Sequence, residues 1–520
     1  MQGKTLKTLK TLALLTAMYR RSTPSQPTFE NFYLPFGGGL SGNNRWIKLA
    51  EMMPWEEFEA EYAAQMSEGI GAPAKPFRMA LGALIIKERL GTSDEETVEQ
   101  IRENPYLQYF LGLSEYSEAA PFESSTMVHF RKRLKLELVG RINEAMVKQS
   151  RLSNPEAAKA PEVETQRDKQ QDEDGDDPPS PPPQGQLILD ASCAPADIRY
   201  PTDLSLLNEA REKTEAIIDV LYEQVQEQIS NKPRTYRQEA RQEYLKVAKQ
   251  RKANRQTKRK AIRKQLGYLS RNLSHIDGLI TGGASLSKVD KRLYRQLLII
   301  SELFRQQQWM YQQRQNRIED RLVSLSQPHV RPIVRGKAGT PVEFGAKFSA
   351  SCVNGQIFLD HLDWNNFNES GDLPPQVEQF RSRFGHYPES VHADQIYRTR
   401  ANRDYCRQRG IRLSGKPLGR PVPSEAAEIR QQARADARVR NQIEGKFGQG
   451  KRRFSLARVM AKLATTAETT IAITFLVMNL ESLLRQLLFM LLWLLMNRWQ
   501  ESVESADRQP SYRKDLLRYA

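Results

Sequence analysis

The spacing of apolar and polar positions changes period several times along the 520 residues. Over 75–150 it is helical. The stretch "KPFRMALGALIIKERLGTSDEETVEQIRENPYLQYFLGL" carries apolar residues three and four apart, which puts them on one helix face. Thr92 and Ser93 precede Glu95 and Glu96, so the second helix there has a cap and acids in its first turn. "TMVHFRKRLKLELVGRINEAM" reads as one further amphipathic helix, with Arg131, Lys132, Arg133 and Lys135 near its start. Over 155–185 the apolar positions vanish into "EVETQRDKQQDEDGDDPPSPPPQG". Such a stretch cannot bury enough surface to offset its ordering entropy and predicts a disordered linker.

After the linker, Leu187, Ile188 and Leu189 predict a short buried strand ending on Asp190. Residues 204–330 are helical again, and two long segments at three/four spacing predict a helical hairpin. From 342 the period becomes two. "VEFGAKFSASCVNGQIFLDHL" is two alternating runs joined by Asn354-Gly355, a hairpin signal. "PPQVEQFRSRFG" predicts a helix, "SVHAD" a strand ending on Asp394, "TRANRDYCRQRG" a helix capped by Thr399, "IRLSG" a strand, and "SEAAEIRQQARADARVRNQIEGKFG" a long helix. With the helical insertion set aside, the order is three strands, then helix, strand, helix, strand, helix. That order predicts an α/β fold, a mixed sheet with flanking helices.

These readings divide the chain into an N-terminal extension (1–70), a helical domain (71–154), the linker (155–185), an α/β domain (186–470) interrupted by the insertion at 204–330, and a C-terminal helical segment (471–520). Two apolar stretches bear on the compartment. "KTLKTLKTLALLTAMYRR" has the lysines and short apolar run of a signal peptide, but no small-residue cleavage site follows and Arg20-Arg21 interrupt it. A helix or a non-native extension is expected. Near the C-terminus, Glu481 and Arg485 split a greasy run. Its uninterrupted part, 487–496, is too short for a ~30 Å hydrocarbon core and predicts a buried or partner-facing helix. No membrane partner is expected.

Charge then narrows the function. Lys and Arg total 78 against 62 Asp and Glu, a net charge of +16, which favours a polyanionic partner such as nucleic acid. The densest charge lies in the insertion: ten basic residues and no acid between 246 and 264. Three well-separated cysteines form no CxxC pair, which argues against a zinc finger or disulfide framework and fits a reducing cytoplasm.

Asp190 and Asp394 each follow a short strand, and Glu444 lies on the long basic helix. If the two strands are neighbours, the aspartates face each other at one sheet edge, a costly arrangement unless a divalent cation sits between them. Glu444 is the candidate third ligand. Hard oxygen donors suit Mg²⁺ or Mn²⁺, and such ions promote phosphodiester displacement. Arg398, Arg400, Arg403, Lys416 and Arg420 would hold the phosphate backbone. Taken singly, Asp394 also reads as a cap and Glu444 as an intrahelical ion-pair partner.

The motifs together carry a resemblance. "LILDASCAPADIRYPTDLSLLNEARE", "HADQIYRTRANRDYC" with "LSGKPLGRP", and "RNQIEGKFGQGKRRF" resemble the three catalytic blocks of insertion-sequence DDE transposases of the IS-five class. Arg440-x3-Glu444-x6-Lys451 is similar to the signature around that family's glutamate, although Ala437 stands where a tyrosine is often found. The stretch from Pro76 to about Met146 also resembles the helical domain preceding the core in such enzymes. The resemblance implies an RNase H-like catalytic core with Asp190, Asp394 and Glu444 as the metal-binding catalytic triad. Arg440 and Lys451 would contact DNA near the scissile phosphate, with Lys446, Arg452 and Arg453 in the same basic block. It implies excision and integration of the element by hydrolysis and strand transfer at terminal inverted repeats. Terminal and target DNA would be the partners, a homodimer or larger complex the active form, and the bacterial cytoplasm, at the nucleoid, the location. The alternatives are a non-catalytic regulator bound to inverted repeats, or an RNase H-like nuclease that cuts without joining.

Overall fold

The computed structural model describes residues 28–35, 37–66, 73–153, 183–334, 342–416 and 426–507. The apolar N-terminal stretch, nearly all of the predicted linker, and Arg420 lie outside the described residues.

Six strands form one sheet: β1 (Gln186–Pro195), β2 (Arg331–Val334), β3 (Val342–Val353), β4 (Gln356–Asp363), β5 (Ser390–His392) and β6 (Arg412–Leu413). The order is β2-β3-β1-β5-β6, with β4 also on β3. β3 pairs antiparallel with β1 and β4, while β5 runs parallel to both β1 and β6. Three antiparallel strands extended by two parallel ones, with helices on the crossovers, make an RNase H-like core. Asn354 and Gly355 turn the β3–β4 hairpin at φ of 50° and 76°, the left-handed pair that a two-residue hairpin turn requires. The helix Leu373–Phe384 leads into β5, and Arg400–Gln408, capped by Thr399, leads into β6.

Several elements differ from the sequence reading. β1 does not stop at Asp190 but runs on to Pro195, because β3 is long enough to pair with it from Ile188 to Pro195. Strand β2 has no counterpart in the reading; it is four residues beside β3. The insertion is four helices rather than a hairpin: Asp203–Val225, Arg237–Ala248, Arg255–Thr281 and Lys291–Gln313. These bury two apolar clusters of their own, around Leu207, Leu269 and Ile300 and around Ile218, Leu221 and Ile276. The single helix expected after Thr126 breaks at Lys135, whose φ is 38°, into Thr126–Leu134 and Leu136–Ser153. No Gly or Pro marks that break.

The stretch treated as an N-terminal extension contains two helices, Arg45–Glu51 and Trp55–Ala63. Trp46, Trp55 and Phe58 belong to the same buried cluster as Phe77, Phe110 and Phe130. That cluster continues without a break into the sheet. The continuity comes from one helix, Ala464–Asp507, whose start precedes the expected 471. Its Asn479 caps the edge of β4: the side chain accepts from Ile357 N (2.8 Å) and donates to Ile357 O (2.7 Å) and Asn143 Oδ1 (3.0 Å). Buried Glu88 accepts from Ser455 N (2.8 Å) and Thr474 Oγ1 (2.6 Å), and Glu481 pairs with Arg89 (2.5 Å) and Arg453 (3.4 Å). These polar contacts in an apolar interface fix how the N-terminal helices dock on the core, since leaving any member unpaired is costly.

Candidate active site

Parallel pairing of β1 with β5 ends at Ile188 opposite His392. Asp190 lies two residues farther on within β1, and Asp394 lies two residues past the end of β5, so both acids come to the same end of the parallel pair. Asp190 sits within β1 and is largely buried. Its Oδ1 accepts from Ala191 N at 2.8 Å, and among the described residues no cation pairs with it. Burial, reinforced by the nearby charges of Glu369, Glu444 and Asp394, pushes its carboxyl up to about 6. Asp394 has left the strand and caps a short turn, accepting from Gln395 N at 2.8 Å. Its side chain is exposed. Beneath the pair, Tyr397 is fully buried near Ser349, with its phenol pushed up by burial and by the charges of Glu369, Asp190 and Asp372.

Glu444 comes from the helix Ala426–Arg453. Arg440, one turn earlier, pairs with Asp394 Oδ1 (2.7 Å) and with Glu444 Oε1 (3.5 Å). The three sequence-predicted acids therefore meet at one edge of the sheet, and a guanidinium bridges two of them. The cap and ion-pair roles considered for Asp394 and Glu444 are both present alongside this convergence. A fourth acid, Glu369, lies in the same field and is held by buried Lys347 at 3.0 Å. Asp372, in the same turn, accepts from Ser349 Oγ and faces His361 Nδ1 at 3.0 Å. Nothing in the local sequence "NESGD" distinguishes these acids from surface turn residues.

The residue that sets the glutamate helix on the sheet is Asp436, two turns before Glu444. It is buried and accepts from Arg412 Nη1 (3.1 Å) and Nη2 (2.9 Å) on β6, from Gly415 N (3.3 Å) and from Gln432 (3.1 Å). His392, at the end of β5, lies 3.5 Å away. Burial works against the Asp436 charge, but the Arg412 and Gln432 hydrogen bonds hold its carboxyl below the usual range. Burial pushes His392 down to about 4, so at neutral pH it is an uncharged neighbour. Sequence reasoning passed over Asp436; its one signal was an acid four residues before Arg440.

The predicted DNA-contacting residues divide. Arg400, Lys416 and Arg452 are exposed, and Arg403 donates to Lys416 O at 3.2 Å. Arg398 donates to Ala393 O at 3.1 Å and packs on Gly415, where an added Cβ would fall 2.1 Å from Nη1. It braces the loop after β5. Lys451 is half-buried, one full helical repeat of eleven residues from Arg440 and so on the same face. Lys446 is on the opposite face. It is largely buried near Cys352 and Arg485, and burial lowers its ammonium. Arg453 is exposed, reaches Glu481 at 3.4 Å and lies over Phe454. For Lys446 the helix period overrides proximity in sequence.

Among the described residues no three His, Cys, Asp or Glu side chains are already gathered around a metal position. The donor chemistry nevertheless fits a hard divalent cation. Every candidate ligand is a carboxylate, and buried Asp190 faces three like charges. A basic chain with a carboxylate-edged RNase H-like sheet is the outline of a nucleic-acid-processing enzyme.

Comparison with known proteins agrees with that outline. Residues 391–481 match the family model described as transposase DDE domain, a span that takes in Asp394, Arg440 and Glu444. Residues 38–133 match a second model, described as transposase domain. The chain is 30% identical over 149 residues to an uncharacterized protein, ORF8 in the nfe locus of Rhizobium meliloti, covering 28% of this chain and 72% of that protein. No solved structure matches significantly. The chain belongs to the DDE transposases of insertion sequences, a family that depends on a divalent metal and acts on DNA.

Proposed function

We propose that this protein is a transposase of the IS-five class, with Asp190, Asp394 and Glu444 as its catalytic, metal-binding triad and Mg²⁺ (or Mn²⁺) as its cofactor. It recognises the terminal inverted repeats of its own element, hydrolyses the DNA at the element ends, and joins the freed 3′-hydroxyl to target DNA. It works in the cytoplasm, on the nucleoid, as a dimer or larger assembly that brings two ends together. The observation that carries this reading is the convergence of Asp190 on β1, Asp394 just past the end of the adjacent parallel β5, and Glu444, with Arg440 bridging the last two.

When bound, the cation supplies charge neutralisation at the scissile phosphate and activation of the attacking oxygen. The chain does the rest. Burial keeps Asp190 fixed and short of counter-charge, so it favours a cation strongly. Arg440 holds Asp394 and Glu444 in place until they are used, and is then positioned to take a phosphate oxygen. Arg398 and Asp436 fix the two segments that carry Asp394 and Glu444. Arg400, Arg403, Lys416 and Lys451 line the approach for the backbone of the DNA. The test is end cleavage on a labelled inverted-repeat duplex. Glu444→Gln is expected to bind that duplex within about threefold of wild type and to cut it at least ~10³-fold more slowly. Equal cutting by both proteins would remove Glu444 from the triad.

The insertion supports a further part of the reading, a sequence-independent grip on DNA. Lys246, Lys249, Arg251, Lys252, Arg255 and Lys258 are exposed at the turn between its second and third helices. Lys246 and Lys264 both pair with Glu243 (3.6 and 2.8 Å), and Arg259 lies over Tyr311. Changing these six residues of the turn to Gln is expected to reduce the slope of log affinity against log salt by about 3–5. An unchanged slope would leave the run as a solvated surface.

A further inference from the structure

The helix Ala464–Asp507 has two halves of different character. As far as Leu484 nearly every position is buried. Beyond Arg485 the helix remains apolar, yet Leu488, Phe489, Leu492, Trp493, Leu495 and Met496 are exposed, Phe489 to 70%, Leu495 to 65% and Trp493 to 60%. These six fall on one side of the helix, while Leu487 and Met490, on the other side, are half-buried. An apolar stripe of this kind on a soluble body marks an interaction surface.

Three observations select its occupant. The stripe is too short for a membrane. From Arg485 to Met496 the helix rises about 18 Å, against a ~30 Å hydrocarbon core. The preceding half cannot supply the missing length, since Glu481 is held by Arg89 and Arg453 and Asn479 by Ile357. Next, the area is right for a second protein. At roughly 200 Å² for a fully exposed large side chain, the six expose on the order of 700 Å², close to the ~800 Å² per partner of a stable complex. Finally, five of the six positions are symmetric about Leu492, Trp493 alone standing outside the pattern. Leu488 and Phe489 lie four and three residues before Leu492, and Leu495 and Met496 lie three and four after it. An antiparallel helix pair about a two-fold axis through Leu492 sets 488 against 496 and 489 against 495. A self-complementary patch of this form is what an isologous dimer needs.

We propose that this stripe is a dimer interface, occupied by the same stripe of a second copy of the chain, antiparallel across a two-fold axis at Leu492. The dimer forms without DNA or metal, so its test stands apart from the catalytic reading. Sedimentation velocity of the full chain is expected to give a dimer at micromolar concentration. Phe489→Glu combined with Leu492→Glu is expected to give a monomer, with circular dichroism and melting temperature close to wild type because both residues are exposed. Leu492→Cys is expected to cross-link the dimer on mild oxidation, the native Cys193, Cys352 and Cys406 being buried. A monomeric wild type would overturn the proposal. If that monomer floated with phosphatidylcholine–phosphatidylglycerol vesicles, the stripe would belong to a lipid surface. A dimer that survives the double substitution, or that the Leu492→Cys variant fails to cross-link, would overturn it equally.

Discussion

Asp190→Asn is expected to abolish strand cleavage and at the same time to stabilise the metal-free protein. The two effects have one cause. Burial and the charges of Glu369, Glu444 and Asp394 raise the Asp190 carboxyl from its ordinary 3.8 to about 6. Between those values the folded chain holds a proton that the unfolded chain has released. Stability therefore falls as pH rises through this window, and the full penalty is present above pH 6. Asparagine carries no charge to desolvate. In EDTA at pH 7.5 the variant is expected to be about 1–3 kcal/mol more stable than wild type by urea denaturation, with the gap closing near pH 4. Cleavage with Mg²⁺ present is expected to fall at least ~10³-fold. A variant that loses activity and stability together would make Asp190 a structural residue. One that keeps activity would remove it from the triad.

Asp436 gives the second large effect, through position rather than chemistry. Its carboxylate ties the glutamate helix to β6 through both Arg412 nitrogens and to the loop after β6 through Gly415 N. Asp436→Ala leaves Arg412 without a partner and the Gly415 amide unsatisfied. The expected cost is about 2–3 kcal/mol, at the low end for a buried pair because Arg412 is partly exposed. The charged carboxylate, held below its usual range, contributes stability that is present above pH 4 and is lost as pH falls toward its lowered value. Cleavage by the folded fraction is expected to fall by about 10²-fold as Glu444 loses its placement, while affinity for the duplex stays within a few-fold. Asp436→Asn, which can still accept from Gly415, is expected to be intermediate in both. Loss of stability without a change in the rate of the folded fraction would show that the helix keeps its place without this tie.

Local signals account for what could be read in advance. The Asn354-Gly355 turn, the period-two runs around it and the Thr399 cap are properties of a few neighbouring residues, and each is found where the sequence put it. The alternation of strands and helices after 342 was enough to give the mixed sheet. What escaped was set by partners distant in sequence. β1 continues past Asp190 because β3 extends to meet it. Strand β2 is too short to have a pattern. The insertion folds as four helices because two apolar clusters, not one seam, must be buried. At the site, Asp190, Asp394 and Glu444 stood out by motif, whereas Glu369, Asp372 and Asp436 acquire meaning only through Lys347, His361 and Arg412, side chains from other elements. Lys446 illustrates the converse. It belongs to a basic block in sequence, yet the helix turns it to the core.

The central claim is that a carboxylate triad at the β1–β5 edge both cuts and joins DNA. The most direct test incubates the purified full chain with DNA from both flanks of its gene, a circular target and Mg²⁺ or Mn²⁺, beside Asp394→Asn. Products are mapped at nucleotide resolution. Cuts at the element ends together with ends covalently joined to the target, both absent from the variant, are the predicted result. Cuts without joining would make the protein a nuclease on the same scaffold. Binding to the ends with no cut by either protein would contradict the account and leave an inverted-repeat-binding regulator.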